Sequence, residues 1–92
     1  MANKNDLLTI EDGVLTNYDG DAKALVIPEH VIKIGRSAFA VNKSLTSITI
    51  PGSVREIGDE AFYGCESLES VTLLGNPKMG ADVFKDCGSL KR

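Results

Sequence analysis

The chain has 92 residues, of which 42% are hydrophobic and 25% are charged, and its formal net charge is −3. This length is typical of one short domain, and the apolar content is sufficient for a core. The basic residues are scattered, which argues against nucleic acid as a partner, because binding to phosphates requires a concentrated cationic face. The sequence contains no apolar run of about 18 residues, so it predicts no membrane insertion.

The N-terminal segment MANKNDLLTI lacks a charged region followed by a long apolar one, so no signal peptide is visible. The segment therefore indicates a cytoplasmic protein or one whose signal was removed. The first predicted element is a β-hairpin within residues 1–21. Apolar residues at 7–10 and 14–15 flank Asp12 and Gly13, and an Asp-Gly pair between apolar runs favours a hairpin turn. A second pair, Asp19 and Gly20, turns the chain into the next segment.

From residue 22 onward the sequence repeats. The Ser-Leu pairs that end in Leu45, Leu68 and Leu90 are 23 and then 22 residues apart, and other positions keep the same interval. The unit can be written LxSITIPxxVxxIGxxAFxxCxS, and each copy contains the L-x-x-L-x-L spacing of leucine-rich repeats. The repeat divides one domain into coils at 22–44, 45–67 and 68–89, with the start of a fourth coil at 90–92.

Each repeat predicts one turn of a stack. Ile48 and Ile50 alternate with Thr49, so the two isoleucines face a core and the threonine faces outward. Pro51 then ends the strand, because proline has no N–H to donate to a neighbouring strand. We expect Gly58 to permit a sharp turn on the return path.

The segment DEAFYGC at residues 59–65 is too short for a long helix. We interpret it as a single helical or 3₁₀ turn that places Phe62 in the core. One coil cannot bury its own apolar side, whereas stacked coils can, with their strands in one parallel sheet. Equivalent residues should then form core columns, one of Phe39, Phe62 and Phe84, and another of Ile34, Ile57 and Met79.

The two ends of the repeat region lead to different expectations. We interpret the hairpin at residues 1–21 as an N-terminal cap, because a repeat stack needs its terminal apolar face covered. The third coil has lost one residue, and Pro77 lies near the position equivalent to Val54, so we expect an irregular outer side there. At the other end, Leu90 begins another strand pattern that has no cap. Two hypotheses stay open, a truncated domain and self-association through the last coil, whose open strand edge favours pairing.

The repeat unit resembles the BspA-like leucine-rich repeat family, a bacterial and protozoan class with repeats of about 23 residues. The match rests on the pattern IPxxVxxIGxxAFxxCxSLxSITIP, found at residues 27–51 and again at 50–73. The resemblance implies an α/β-type repeat fold, a right-handed solenoid with a short parallel β-sheet on one face. The other face would carry short strands and helical or 3₁₀ turns. The resemblance also implies adhesion or protein binding, on a secreted or cell-surface protein if this chain is part of a longer one, and supplies no fixed ligand residues.

The outward positions of the long strands form the candidate binding surface, which we call the strand face. Curved repeat proteins commonly bind through such a surface. This one lacks the aromatic and arginine side chains that dominate binding hot spots, so a merely solvated sheet stays the alternative. The strand face comprises Lys23, Ala24, Val26, Thr46, Ser47, Thr49, Glu69, Ser70 and Thr72.

Other residues that could carry chemistry have structural interpretations. Cys65 and Cys87 share one slot of the repeat, so a disulfide between adjacent coils is one interpretation, and the favoured alternative is that both are small buried side chains. His30, the only histidine, is interpreted as an exposed turn residue. Asn42 begins a glycosylation sequon but shares the cysteine slot, so we expect it to be partly buried and discount the sequon. Tyr63 is a weaker candidate for an exposed contact.

The remaining pattern is a faint likeness to a calcium loop. Asn17, Asp19 and Asp21 alternate, but the loop glycine and the distant glutamate of that motif are absent, so a plain turn is favoured. We therefore predict no metal, no cofactor and no enzyme. The predicted function is a non-catalytic protein-interaction or adhesion module whose partner is a protein, such as one on a host surface. The alternative is a structural spacer or a self-associating repeat segment.

Overall fold

The computed structural model of the chain describes residues 8–18 and 20–90. Predictions that involve Leu7, Asp19 and residues 91–92 lie outside this part. The described residues form eight short strands that belong to two sheets. The strands are β1 Leu8–Glu11, β2 Val14–Tyr18, β3 Ala24–Val26, β4 Lys33–Ile34, β5 Ser47–Ile50, β6 Glu56–Ile57, β7 Ser70–Leu73 and β8 Lys78–Met79.

The longer strands of the repeat form the predicted parallel sheet. This three-stranded sheet has the order β3-β5-β7, and equivalent residues pair directly. Leu25 lies beside Ile48, which lies beside Val71, so the buried positions of successive coils are in register. The register follows from the repeat, because a shift by one residue would turn every buried side chain outward.

The short strands and the N-terminal hairpin form the second sheet, in the order β1-β2-β4-β6-β8. The hairpin predicted from Asp12 and Gly13 is confirmed, since β1 and β2 are antiparallel and both turn residues have positive φ. β2 then lies parallel to β4, with Leu15 beside Ile34. The hairpin therefore continues the stack by one further layer. Its role as a cap stays a prediction.

An aromatic column runs along the core. Phe39, Phe62 and Phe84 stack as predicted, with ring centroids 4.9 and 5.5 Å apart. Tyr18 extends the column from the hairpin, with its ring centroid 5.4 Å from that of Phe39. Since stacked rings at these spacings attract one another beyond their area burial, the column ties the coils together.

The predicted isoleucine column is confirmed for its first two members. Ile34 and Ile57 are neighbours in register and are fully buried. Met79 pairs with Ile57 on the other side, but it is 40% exposed because no described coil covers it.

The connections between the sheets contain no helix in the described residues, which corrects the predicted helical or 3₁₀ turns and the α/β class. Left-handed residues recur there, for example Ser37 with φ 58° and Val41 with φ 62°, and a residue with positive φ cannot continue a right-handed helix. Every second backbone N–H bonds to the next coil, and those between them bond to the carbonyl three residues back, as Ala40 does to Ser37 at 3.2 Å. Phe39 donates to the carbonyl of Ala61 at 2.7 Å, and Val41 to that of Tyr63 at 2.6 Å. These bonds between coils replace the bonds that a helix would make.

Gly58 has a different role from the sharp turn that we expected, because its φ is not positive. A Cβ at this position would lie 2.8 Å from the nitrogen of Arg36 and 3.1 Å from the carbonyl oxygen of Ile34. Glycine is therefore required because the backbone of the preceding coil passes so close. Gly35 and Gly80 occupy the equivalent positions in the neighbouring coils.

The irregularity expected on the outer side of the third coil is confined to the segment between β7 and β8, where a bend replaces the turn of the second coil, and β8 itself is regular. β8 pairs with β6 in register, and the flanking bonds from Lys78 to Arg55 and from Gly80 to Ile57 are kept at 3.0 and 2.8 Å. The missing residue is absorbed earlier, in the bend at 74–75. The handedness of the solenoid and the division into coils stay predictions.

Candidate functional site

The strand face is the outward side of the three-stranded sheet. Leu25, Ile48 and Ile50 point into the core and are buried, whereas their neighbours are exposed or half-buried. Six of the nine predicted residues lie on this side of the strands, as strand alternation requires, and Lys23, Thr46 and Glu69 lie directly before the strands. Within the strands they form two rows across the sheet, one of Ala24, Ser47 and Ser70 and the other of Val26, Thr49 and Thr72.

The row that begins with Val26 is the apolar part of the strand face. Val26 is 65% exposed, which is high for a β-branched side chain in a sheet. Thr49 pairs with Val26 on one side and with Thr72 on the other, so three β-branched residues stand next to one another. Such a row offers methyl groups on a backbone that is fixed by hydrogen bonds on both sides of β5.

A third row lies just before the strands. Thr46 Oγ1 donates a hydrogen bond to the carbonyl oxygen of Lys23 at 2.8 Å, and the Thr46 carbonyl accepts one from the N–H of Glu69 at 2.7 Å. The Thr46 hydroxyl therefore donates its proton to the neighbouring coil and not to a partner. Lys23 and Glu69 are exposed and place opposite charges at the two ends of the row.

Asn42, Cys65 and Cys87 share one position of the repeat, and their side chains form hydrogen bonds with the backbone. Asn42 Oδ1 accepts hydrogen bonds from the N–H groups of Ser44 and Leu45 at 3.0 Å, and Nδ2 donates to the carbonyl of Gly20 at 3.2 Å. The partly buried amide therefore fixes the entry into β5 and its contact with the preceding segment. This use explains asparagine at the start of the sequon without glycosylation.

Both cysteines are free and bond to the preceding coil. Cys65 Sγ donates to the carbonyl of Phe39, and Cys87 Sγ to that of Phe62, each at 3.0 Å. Burial raises the pKa of the Cys65 thiol from 9.0 to about 11 and also raises the pKa of Cys87. The predicted burial is confirmed for Cys65, whereas Cys87 is half-buried.

The remaining candidates lie apart from the strand face. His30 is exposed in a turn, as predicted, and Tyr63 is half-buried in a connection between the sheets. Asn17 and Asp21 are exposed, and Asp19 lies outside the described residues. Within residues 8–18 and 20–90, no group of three or more His, Cys, Asp and Glu residues could hold a metal ion, and no helix could cross a membrane.

The sequence analysis did not predict the roles of Tyr18 and Val41. Tyr18 occupies the phenylalanine position of the hairpin layer, and its hydroxyl oxygen accepts a hydrogen bond from the N–H of Ala22 at 3.2 Å. The interval from Tyr18 to Phe39 is shorter than the repeat, which hid the equivalence. Val41 has positive φ and is exposed, and only comparison with Gly64 in the same slot of the repeat could have indicated this.

The stacked coils, the parallel sheet and the repeated core slots define a leucine-rich repeat protein. The family model described as BspA type leucine rich repeat region matches residues 4–92. The chain belongs to this family, as the resemblance of its repeat unit suggested.

Solved bacterial structures share the fold. A leucine-rich cell surface protein from Faecalibacterium prausnitzii is 32% identical, with a TM-score of 0.76 over 91% of this chain and 27% of its own. A leucine-rich repeat protein from Bacteroides capillosus is 33% identical, with a TM-score of 0.80 over 91% of this chain and 72% of its own. A leucine-rich repeat protein of T. pallidum is 25% identical, with a TM-score of 0.75 over 98% of this chain and 58% of its own.

This chain therefore spans about a quarter of the F. prausnitzii protein and larger fractions of the other two. A comparison with curated proteins finds no significant match.

Proposed function

We propose that the chain is a non-catalytic protein-binding module of a bacterial cell-surface or secreted protein, and that it binds its partner through the strand face. The observation that carries this proposal is the in-register row of Val26, Thr49 and Thr72 on a hydrogen-bonded sheet. Membership of the family and the likeness to a cell surface protein of F. prausnitzii support the surface location. Adhesion to a host protein is one form of this function.

The geometry supports binding because the surface is rigid before the partner arrives. β5 is paired on both sides, so its backbone is already ordered and loses little freedom on binding, and this lowers the entropy cost of association. Small side chains such as Ser47 and Ser70 let a partner approach the backbone closely. The charges of Lys23 and Glu69 flank this area and would fix the orientation of the partner.

Selection of a phage-displayed library of random peptides on the immobilised chain tests the proposal. The selected peptides are then measured against a variant with Thr49→Arg and Thr72→Arg, which places two long cations on the strand face. A variant with Asn17→Arg and Asn76→Arg adds the same charge at exposed positions elsewhere and is the matched control. We expect loss of binding in the first variant only. Equal binding by both variants would exclude the strand face.

The second candidate function is a structural segment that self-associates through the last coil. It is favoured by Leu73, Leu74 and Met79, which are exposed on β7, β8 and the bend between them. Such an edge can pair with a strand of another chain. Light scattering of the purified chain at two concentrations tests this candidate, since a monomer at both concentrations rejects it.

A further inference from the structure

A groove of about 550 Å³ opens beside the connections that lead from the five-stranded to the three-stranded sheet. We call it the lateral groove. Val41 and Tyr63 supply its apolar lining, and Gly64 and Gly88 contribute backbone without side chains. It lies apart from the strand face, because its residues belong to the turns before β5, between β6 and β7, and after β8.

The repeat explains why a groove forms here. Val41, Gly64 and Asp86 occupy the same slot in successive coils, and all three have φ between 62° and 70°. Because the middle coil has glycine in this slot, a gap is left between the side chains of Val41 and Asp86. Gly88 leaves a second gap, in the slot that is filled by a long side chain in the two earlier coils.

Val41 is an unfavourable residue for its position. A β-branched residue with positive φ is a conformational outlier, and glycine, as at Gly64, avoids the strain. The side chain of Val41 does not compensate by burial, since the residue is 56% exposed. The repeat imposes positive φ on this slot, so folding explains the backbone of Val41 but not the choice of an exposed valine. Strained residues cluster at functional sites, so this choice points to a use of the groove.

The charged residues of the groove indicate what it would bind. Glu66, Asp86 and Lys43 line it, so two acidic residues and one basic residue leave an excess of negative charge. Neither carboxylate has a lysine or arginine nitrogen within 4.0 Å among the described residues. Tyr63 adds an aromatic ring beside them. A guanidinium group suits this set, because it bonds to carboxylates and stacks on aromatic faces.

We propose that the lateral groove binds an extended peptide segment of a partner protein that presents an arginine next to an aliphatic side chain. The guanidinium lies between Glu66 and Asp86 and stacks on Tyr63. The aliphatic side chain contacts Val41 and enters the gap above Gly64. This site is additional to the strand face, and binding at one does not require the other.

Fluorescence anisotropy with labelled synthetic peptides tests the proposal. The probe is Gly-Ser-Leu-Arg-Ser-Gly, and two matched peptides replace its arginine with glutamate or its leucine with glycine. We expect the probe to bind at least about tenfold more tightly than the glutamate peptide, with weaker binding at high salt. The glycine peptide should fall between the two. Equal binding of the probe and the glutamate peptide, or no binding of the probe, overturns the proposal.

Variants of the chain then locate the site. Gly88→Leu fills the groove without strain, because nothing lies within 4 Å of a Cβ there and its φ is not positive. Gly52→Leu is the matched control, at another open turn glycine whose Cβ would meet only the Leu74 carbonyl at 3.6 Å. We expect loss of probe binding in the first variant and no change in the second.

Charge variants separate the lateral groove from the strand face. The double variant Glu66→Gln and Asp86→Asn should weaken probe binding by about tenfold, because it removes both carboxylate charges. The strand-face variant Thr49→Arg and Thr72→Arg should bind the probe unchanged. If the strand-face variant abolishes probe binding while Gly88→Leu retains it, the peptide binds the strand face and the proposal fails.

Discussion

Replacement of Gly58 by alanine should destabilise the chain far more than replacement of Gly52. At Gly58, the added Cβ would lie 2.8 Å from the nitrogen of Arg36 and 2.9 Å from the carbonyl carbon of Gly35. Both contacts are with backbone, which cannot move without separating two coils. The nearest contact of a Cβ at Gly52 is 3.6 Å, and neither glycine has positive φ. The pair therefore isolates the effect of close approach between coils.

The cost at Gly58 can be estimated from the contacts. Overpacking of a well-packed interior costs about 1–3 kcal/mol. Separation of the coils also weakens the hydrogen bond from the Gly58 N–H to the Ile34 carbonyl, 2.7 Å long, which adds about 1 kcal/mol. We expect a loss of about 3 kcal/mol, or about 15 °C in the melting temperature for a domain of this size. Gly52→Ala should be neutral or stabilise by about 0.5 kcal/mol, because alanine lowers the entropy of the unfolded chain.

Urea denaturation followed by far-ultraviolet circular dichroism measures both variants, since the chain has no tryptophan. The free energies of unfolding are comparable when both variants have the same dependence of free energy on urea concentration. A Gly58→Ala variant as stable as Gly52→Ala would show that the coils do not pass as closely as the structure places them. The assignment of this glycine column to close approach would then be wrong.

Three further predictions concern the core and the repeat slots. Phe62→Ala should lower the free energy of unfolding in urea by about 3–5 kcal/mol, and Phe84→Ala should lower it clearly less. The Phe62 ring is fully buried between two rings, whereas Phe84 is half-buried and stacks on one. Equal losses would contradict the stacking argument. Because the folded chain holds the Cys65 proton up to a pKa of about 11 and the unfolded chain releases it near 9.0, stability should fall as pH rises through this window, and the fall should be smaller in Cys65→Ala. Asn42→Ala should lower the free energy of unfolding by about 2 kcal/mol, since the N–H groups of Ser44 and Leu45 lose their acceptor. An unchanged urea midpoint would refute this prediction.

The core could be predicted from the sequence because burial imposes the same demand on every coil. Ile48 and its neighbours alternate with period two, and equivalent phenylalanines recur at the repeat interval, so both the strand orientation and the aromatic column followed from spacing. Hydrophobic patterning indicates which side chains are buried, and this does not depend on the backbone conformation of the connections.

The connections could not be predicted, because their backbone depends on bonds between coils. The segment at residues 59–65 has the length of a helical turn, but from Glu60 onward its N–H groups bond alternately to the next coil and to the carbonyl three residues back. Its left-handed residues, Glu60 and Gly64, interrupt the helical conformation. No local pattern at Val41 indicates positive φ, since valine disfavours it. For the same reason the lateral groove was not expected, although Tyr63 was noted as a candidate contact.

The two candidate surfaces differ in how much they vary between coils. On the strand face, the slot of Ser47 and Ser70 keeps the same small side chain, and so does the slot of Thr49 and Thr72. In the lateral groove, by contrast, one slot changes from valine to glycine to aspartate and another from lysine to glutamate to glycine. The strand face is thus alike in the second and third coils along these two rows, and its coils differ most in the third row, which changes from Lys23 to Thr46 to Glu69. A surface whose chemistry changes from coil to coil fixes one register, so we expect specific recognition at the lateral groove and at the charged third row of the strand face.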